Sequence, residues 1–156
     1  MLRRLVPAAV AVLLVAGCGS DAPPEVRFAA GDASVGARPA QYCDLKLTDC
    51  RSDTTAPVTL AVPPDTPLRI EVPDAVAETP WVVVFSYRNA SDEQVNQRSP
   101  LFTAGARTEY ALELPTAQDR LLTAEVQQLG PPPQANAKTG AIEFPTRATW
   151  VLTASG

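Results

Sequence analysis

From Val26 onward the chain alternates between apolar and polar positions. Val26 and Phe28 flank Arg27, Val58, Leu60 and Val62 interleave with Thr59 and Ala61, and Leu68, Ile70 and Val72 interleave with Arg69 and Glu71. Trp81, Val83, Phe85 and Tyr87 share one parity; Val82, Val84, Ser86 and Arg88 share the other. Tyr110-Leu112-Leu114, Leu122-Ala124-Val126 and Ala148-Trp150-Leu152 continue the pattern toward the C-terminus. A period of two sends successive side chains to opposite faces, so each run predicts a strand with one buried and one wet side. Val35 to Asp44, interrupted by Pro39, predicts a weaker edge strand.

Turn formers separate the runs: Gly31-Asp32, Pro63-Pro64-Asp65, Pro73-Asp74, Asn89-Ala90-Ser91-Asp92, Ala104-Gly105 and Gly130 to Gln134. No segment holds an amphipathic helical period beyond about two turns; Ala75 to Glu78 and Ala117 to Arg120 predict at most one turn each. The fold expected is all-β: a two-sheet β-sandwich of about seven or eight strands, immunoglobulin-like in architecture, with a barrel as the alternative. The strand Pro80 to Tyr87 is the most apolar and is expected at the centre, with Trp81, Trp150 and Tyr110 as core residues rather than ligand platforms.

Residues 1–25 follow another logic. Arg3-Arg4 precedes an uncharged run from Leu5 to Ala16, too short to span a bilayer, which takes ~20 apolar residues, but suited to the apolar region of an export signal. The run ends at Val15-Ala16-Gly17-Cys18, where small residues precede a thiol. This tetrapeptide resembles the bacterial lipobox at all four positions. The resemblance implies a diacylglycerol on the Cys18 sulfur and cleavage between Gly17 and Cys18, with Val15, Ala16 and Gly17 read by the signal peptidase. A signal cut elsewhere would leave Cys18 an ordinary thiol. The expected organisation is a lipoprotein signal at 1–17, an acylated cysteine and polar tether at 18–25, and one domain at 26–156.

Processing at Gly17 alters the charge. Arg3 and Arg4 leave with no acid, so the balance moves from 13 basic against 17 acidic residues to 11 against 17, a net −6. An acidic body does not attract nucleic acid and is repelled by an anionic lipid surface along its length. Two acyl chains give stable anchoring where one is marginal. Exported and lipid-anchored, the protein is expected on the outer face of the cytoplasmic membrane or in the cell envelope. Of three cysteines, Cys43 and Cys50 then remain, close enough to form a disulfide in an oxidising compartment. Asp44, Asp49 and Asp53 lack the spacing and turn glycine of a calcium loop, so no metal or other cofactor is expected.

Tyr42-Cys43-Asp44, Cys50, Thr79 to Phe85, Glu125 to Gln128 and Thr149 to Leu152, together with the lipobox, are similar to a family of actinobacterial lipoproteins of unknown function. The likeness covers most of residues 26–155 and brings no catalytic residue with it.

The residues themselves argue against catalysis. With no histidine, Ser-His-Asp, Cys-His and HExxH chemistry are excluded. The two lysines, Lys46 and Lys138, stand in no Ser-x-x-Lys motif, and Glu109 and Glu113 share the wet face of one strand. The expected function is non-catalytic: a lipid-anchored domain that binds or scaffolds a protein or glycan of the envelope through loops such as Asn89 to Pro100 and Gly130 to Gly140. The alternatives are a carrier with an internal apolar cavity and, after it, a cell-wall hydrolase with close acids in a cleft.

Overall fold

In the computed structural model, which describes residues 22–130 and 134–156, the alternating runs become strands. In chain order they are β1 (Val26–Ala30), β2 (Ala33–Ala37), β3 (Gln41–Cys43), β4 (Cys50–Ser52), β5 (Val58–Ala61) and β6 (Leu68–Glu71). After the short helix α1 (Asp74–Ala77) come β7 (Trp81–Arg88), β8 (Gln94–Arg98), β9 (Glu109–Leu112), β10 (Arg120–Leu129), β11 (Gln134–Ala135), β12 (Ile142–Glu143) and β13 (Thr146–Ser155). The chain is all-β, and two sheets stack as a sandwich. One runs β2-β1-β6-β9; the other runs β4-β3-β13-β10-β7-β8, with β5 lying parallel to the C-terminal half of β13. β11 and β12 form a separate ribbon.

The buried parity matches the alternation. Val26, Phe28, Leu68, Ile70 and Leu112 face inward from the first sheet, and Trp81, Val83, Phe85, Val126, Trp150 and Leu152 from the second, in one continuous core. The inside is filled by large side chains, with both tryptophans fully buried. Each indole N–H finds a carbonyl, as a buried tryptophan requires: Trp81 donates to Arg107 O at 3.3 Å and Trp150 to Pro24 O at 2.9 Å. Trp81 packs on Phe102 with ring centroids 4.5 Å apart, and Phe102 on Tyr110 at 5.1 Å.

The differences from the expected plan have local causes. Eleven strands, not seven or eight, make up the two sheets. Val35 to Asp44 is two strands, because at Arg38-Pro39-Ala40 the chain leaves the first sheet and joins the second, where Ala40 N–H donates to Thr149 O. In β10 the register against β7 shifts between Leu121 and Thr123. Leu122 is the extra residue of that bulge, so Leu121, not Leu122, is buried in phase with Ala124 and Val126. β7 is flanked on both sides but lies one strand from the edge. Ala75 to Glu78 overlaps α1, which starts one residue earlier at Asp74, whereas Ala117 to Arg120 is a turn running into β10.

The pairings define two ends. β3 ends, β7 begins, β10 ends and β13 begins at the same end, since Tyr42 pairs with Ala148, Gln128 with Trp81 and Leu129 with Thr146. α1 is there too, because Gln128 Nε2 donates to Ala75 O at 2.9 Å. β6 leads into α1, and Arg27 at the start of β1 pairs with Glu71 at the end of β6, so the N-terminal segment enters at this end. We call it the tether end. The far end carries the β1–β2 turn at Gly31, whose φ of 56° opens a two-residue hairpin loop that favours glycine. The β7–β8 turn and the connections β5–β6 and β9–β10 share that end.

Candidate functional site

At the far end, the exits of β5 and β9 and the entries of β6 and β10 splay apart around a cleft of about 280 Å³. Its apolar wall is Val62, Leu68, Leu112, Leu114 and Leu121, the outermost members of the inward-facing rows. The strands stop there because Pro63, Pro64 and Pro67 cannot donate to a ladder, and Asp65 turns the chain at a φ of 57°. Asp65, Glu113 and Asp119 bring carboxylates to the lining, and among the described residues no lysine or arginine lines it.

Asp119 is the unusual member, a charged residue only 3% exposed. Thr116 N–H donates to its Oδ2 at 3.0 Å, and Asp119 N–H donates to Thr116 O at 3.1 Å. The side chain therefore locks the turn that the sequence read as a possible helix. A buried carboxylate beside leucines is costly unless it is hydrogen-bonded. A ligand donor reaching it would add to a bond already made. The cleft thus combines apolar contact with hydrogen-bond acceptors, and suits an apolar group next to an ammonium or hydroxyl.

At the tether end a broader groove of about 490 Å³ runs beside the β3–β4 hairpin, lined by Ala22, Pro23, Glu25, Arg38, Tyr42, Asp49 and Asp53 among others. Cys43 and Cys50 form a disulfide across that hairpin, within one sheet. Inside its loop Asp44 accepts from Thr48 N–H at 2.7 Å, Thr48 Oγ1 at 2.8 Å and Asp49 N–H at 3.2 Å. The Asp49 amide, then the Thr48 hydroxyl and amide, hold the Asp44 carboxyl below its ordinary value of 3.8. Asp53 is lowered in the same way, by the Thr55 hydroxyl and amide and then by Arg38, 3.4 Å away. These acids cap their own turns. Arg147 closes the hairpin, donating to Cys43 O and Tyr42 Oη and stacking 5.1 Å above the Tyr42 ring.

The residues singled out in the sequence are distributed unevenly over these features. Val15, Ala16, Gly17 and Cys18 lie outside the described residues. Asn89 to Pro100 is not one loop: it is a turn at Asn89–Glu93 followed by β8. Asn89 Oδ1 accepts from Ser91 and Glu93 N–H, so the sequon folds as a tight turn. That turn is at the far end, whereas the described part of Gly130 to Gly140 is at the tether end, so the two do not form one surface. In Ser99 to Phe102, Phe102 is buried but Leu101 is 45% exposed. The far-end cleft escaped sequence reasoning because it joins residues 62–68 to residues 112–121, and no local pattern links them. Among the described residues no group of three His, Cys, Asp or Glu side chains is placed to hold a metal ion.

A family model described as "Protein of unknown function (DUF2771)" matches residues 19–155. The chain belongs to the DUF2771 family. No curated protein and no solved structure matches it. The DUF2771 match takes in both sheets, the disulfide hairpin and the far-end cleft, so these are parts of the family's domain. It begins one residue after Cys18, so the stretch Val15 to Cys18 lies outside the match.

Proposed function

We propose that this DUF2771 protein is a lipid-anchored, non-catalytic binding domain of the cell envelope, held by Cys18 with its far-end cleft turned outward. The observation that carries the reading is the Trp150–Pro24 hydrogen bond, 2.9 Å long. It ties Pro24, six residues after the acylation site, to the core, and the start of β1 beside the end of β6 puts this entry at the end opposite the open cleft. The Cys43–Cys50 disulfide fits an oxidising, exported location.

The packed interior favours binding at the end of the sandwich over carriage of an apolar ligand within it. A hydrolase would be served by a carboxyl held protonated. Asp44 and Asp53 are held in the ionised form by donors of their own turns, at the tether end, which suits capping rather than general-acid chemistry. The partner expected is an envelope protein or glycan that offers apolar surface beside hydrogen-bond donors.

A photo-crosslinking residue at Thr66, inside the cleft, tests this in intact cells against the same residue at Ala90 on the neighbouring turn. The expected result is a discrete adduct from Thr66 that Glu113→Lys reduces at least tenfold. Equal capture from both positions, or none from either, overturns the binding role.

A further inference from the structure

Among the described residues four large hydrophobic side chains are exposed: Leu45 at 68%, Ile142 at 62%, Phe144 at 48% and Leu101 at 45%. Scattered singly they would be unremarked. They are gathered at the tether end. Leu45 lies in the loop between Cys43 and Cys50, Ile142 in β12, and Phe144 in the short link from β12 to β13. Leu101 lines one groove with Ile142 and Phe144, over Val82 and Leu129. The loop and the groove are joined at Gly130, whose N–H donates to Pro145 O at 2.6 Å and where an added Cβ would meet Leu47 Cδ2 at 3.4 Å.

The tether leaves beside this surface. Ala22 and Pro23 line the groove along Tyr42, Asp44 and Asp49, next to the loop that carries Leu45. Three residues lie between Cys18 and Ala22, four Cα-to-Cα steps with a reach of at most ~14 Å. A protein partner does not fit in so short a gap, whereas the lipid surface that receives the acyl chains is already there.

We infer that Leu45, Leu101, Ile142 and Phe144 form a membrane-contacting rim that inserts into the interfacial region of the bilayer and stands the domain upright. The inference rests on the acylation of Cys18. Apolar side chains at the interface add to a lipid anchor, and amphipathic neighbours are tolerated where their charged ends reach water. Lys46 and Lys138, the protein's two lysines, are exposed in the loop of Leu45 and in the β11–β12 ribbon. Asp49 and Glu143 share this end, so apolar contact and not net charge carries the attachment. The upright stance also keeps the carboxylates of the far-end cleft away from lipid headgroups.

Phosphatidylcholine vesicles containing nitroxide-labelled lipid, reconstituted with the full-length protein purified from membranes, provide the test. Trp81 and Trp150 are fully buried and give a protected background. Phe144→Trp, at a half-exposed position, is expected to be quenched at least twofold more than Ala90→Trp at the far end, and Leu45→Trp serves as a second reporter. Equal quenching of the tether-end and far-end reporters, in protein whose mass carries the diacylglycerol, overturns the rim and leaves the anchor standing. Protein without that mass overturns the anchor, and the rim with it.

Discussion

Asp44 and Asp53 show how single side chains hold this domain where strands are short. Each accepts hydrogen bonds from the threonine and amides that follow it, and those bonds are made to the ionised carboxylate. The folded state therefore favours the charged form. The stability contributed is present above the ordinary value of 3.8 and is lost as pH falls through the lower folded-state values. Carboxyl-carbon NMR titration is expected to place both midpoints below 3.8; a midpoint at or above it for either residue contradicts the capping role. Tyr110 shifts the other way, raised above 10.0 by burial. Its contribution is complete below pH 10 and is lost on further rise. Gln128 acts across the core: fully buried, it ties β10 to α1 through Ala75 O, while its Oε1 has no partner among the described residues. A leucine there would relieve the orphan acceptor but release the helix carbonyl.

Among elements, β10 separates what the chain's pattern reveals from what it hides. The alternation Leu122-Ala124-Val126 has the right period but the wrong first member, because the bulge at Leu122 moves Leu121 into the core. Leu121→Ala is expected to cost about 2–4 kcal/mol in urea unfolding and Leu122→Ala less than about 1 kcal/mol; the reverse order contradicts the register. Strands with one buried face were legible, since burial imposes the period on them. β8 and β4 were not: at the outer edges of their sheet, with most side chains in water, Gln94–Arg98 and Cys50–Ser52 need no apolar parity. The β11–β12 ribbon stands outside both sheets and was hidden for the same reason. Pro39 was legible as an interruption, but its role as the crossing between sheets depends on partners a hundred residues away. The disulfide could be read because two cysteines and a spacing suffice. The cleft could not, since its walls come from two distant connections.

At the scale of the whole molecule, the two ends of the sandwich have opposite chemistry. The tether end gathers the exposed hydrophobic side chains and the entry of the chain; the far end offers a carboxylate-lined cleft held open by prolines and a buried aspartate. In the proposed function, the tether end is the one held to the membrane, through Cys18. Intact mass spectrometry of protein extracted from the membrane fraction tests this anchor most directly. The account predicts a chain beginning at Cys18, carrying a diacylglycerol on that sulfur and two hydrogens light for the Cys43–Cys50 bond. A soluble product beginning at another residue, with Cys18 absent or free, would contradict it.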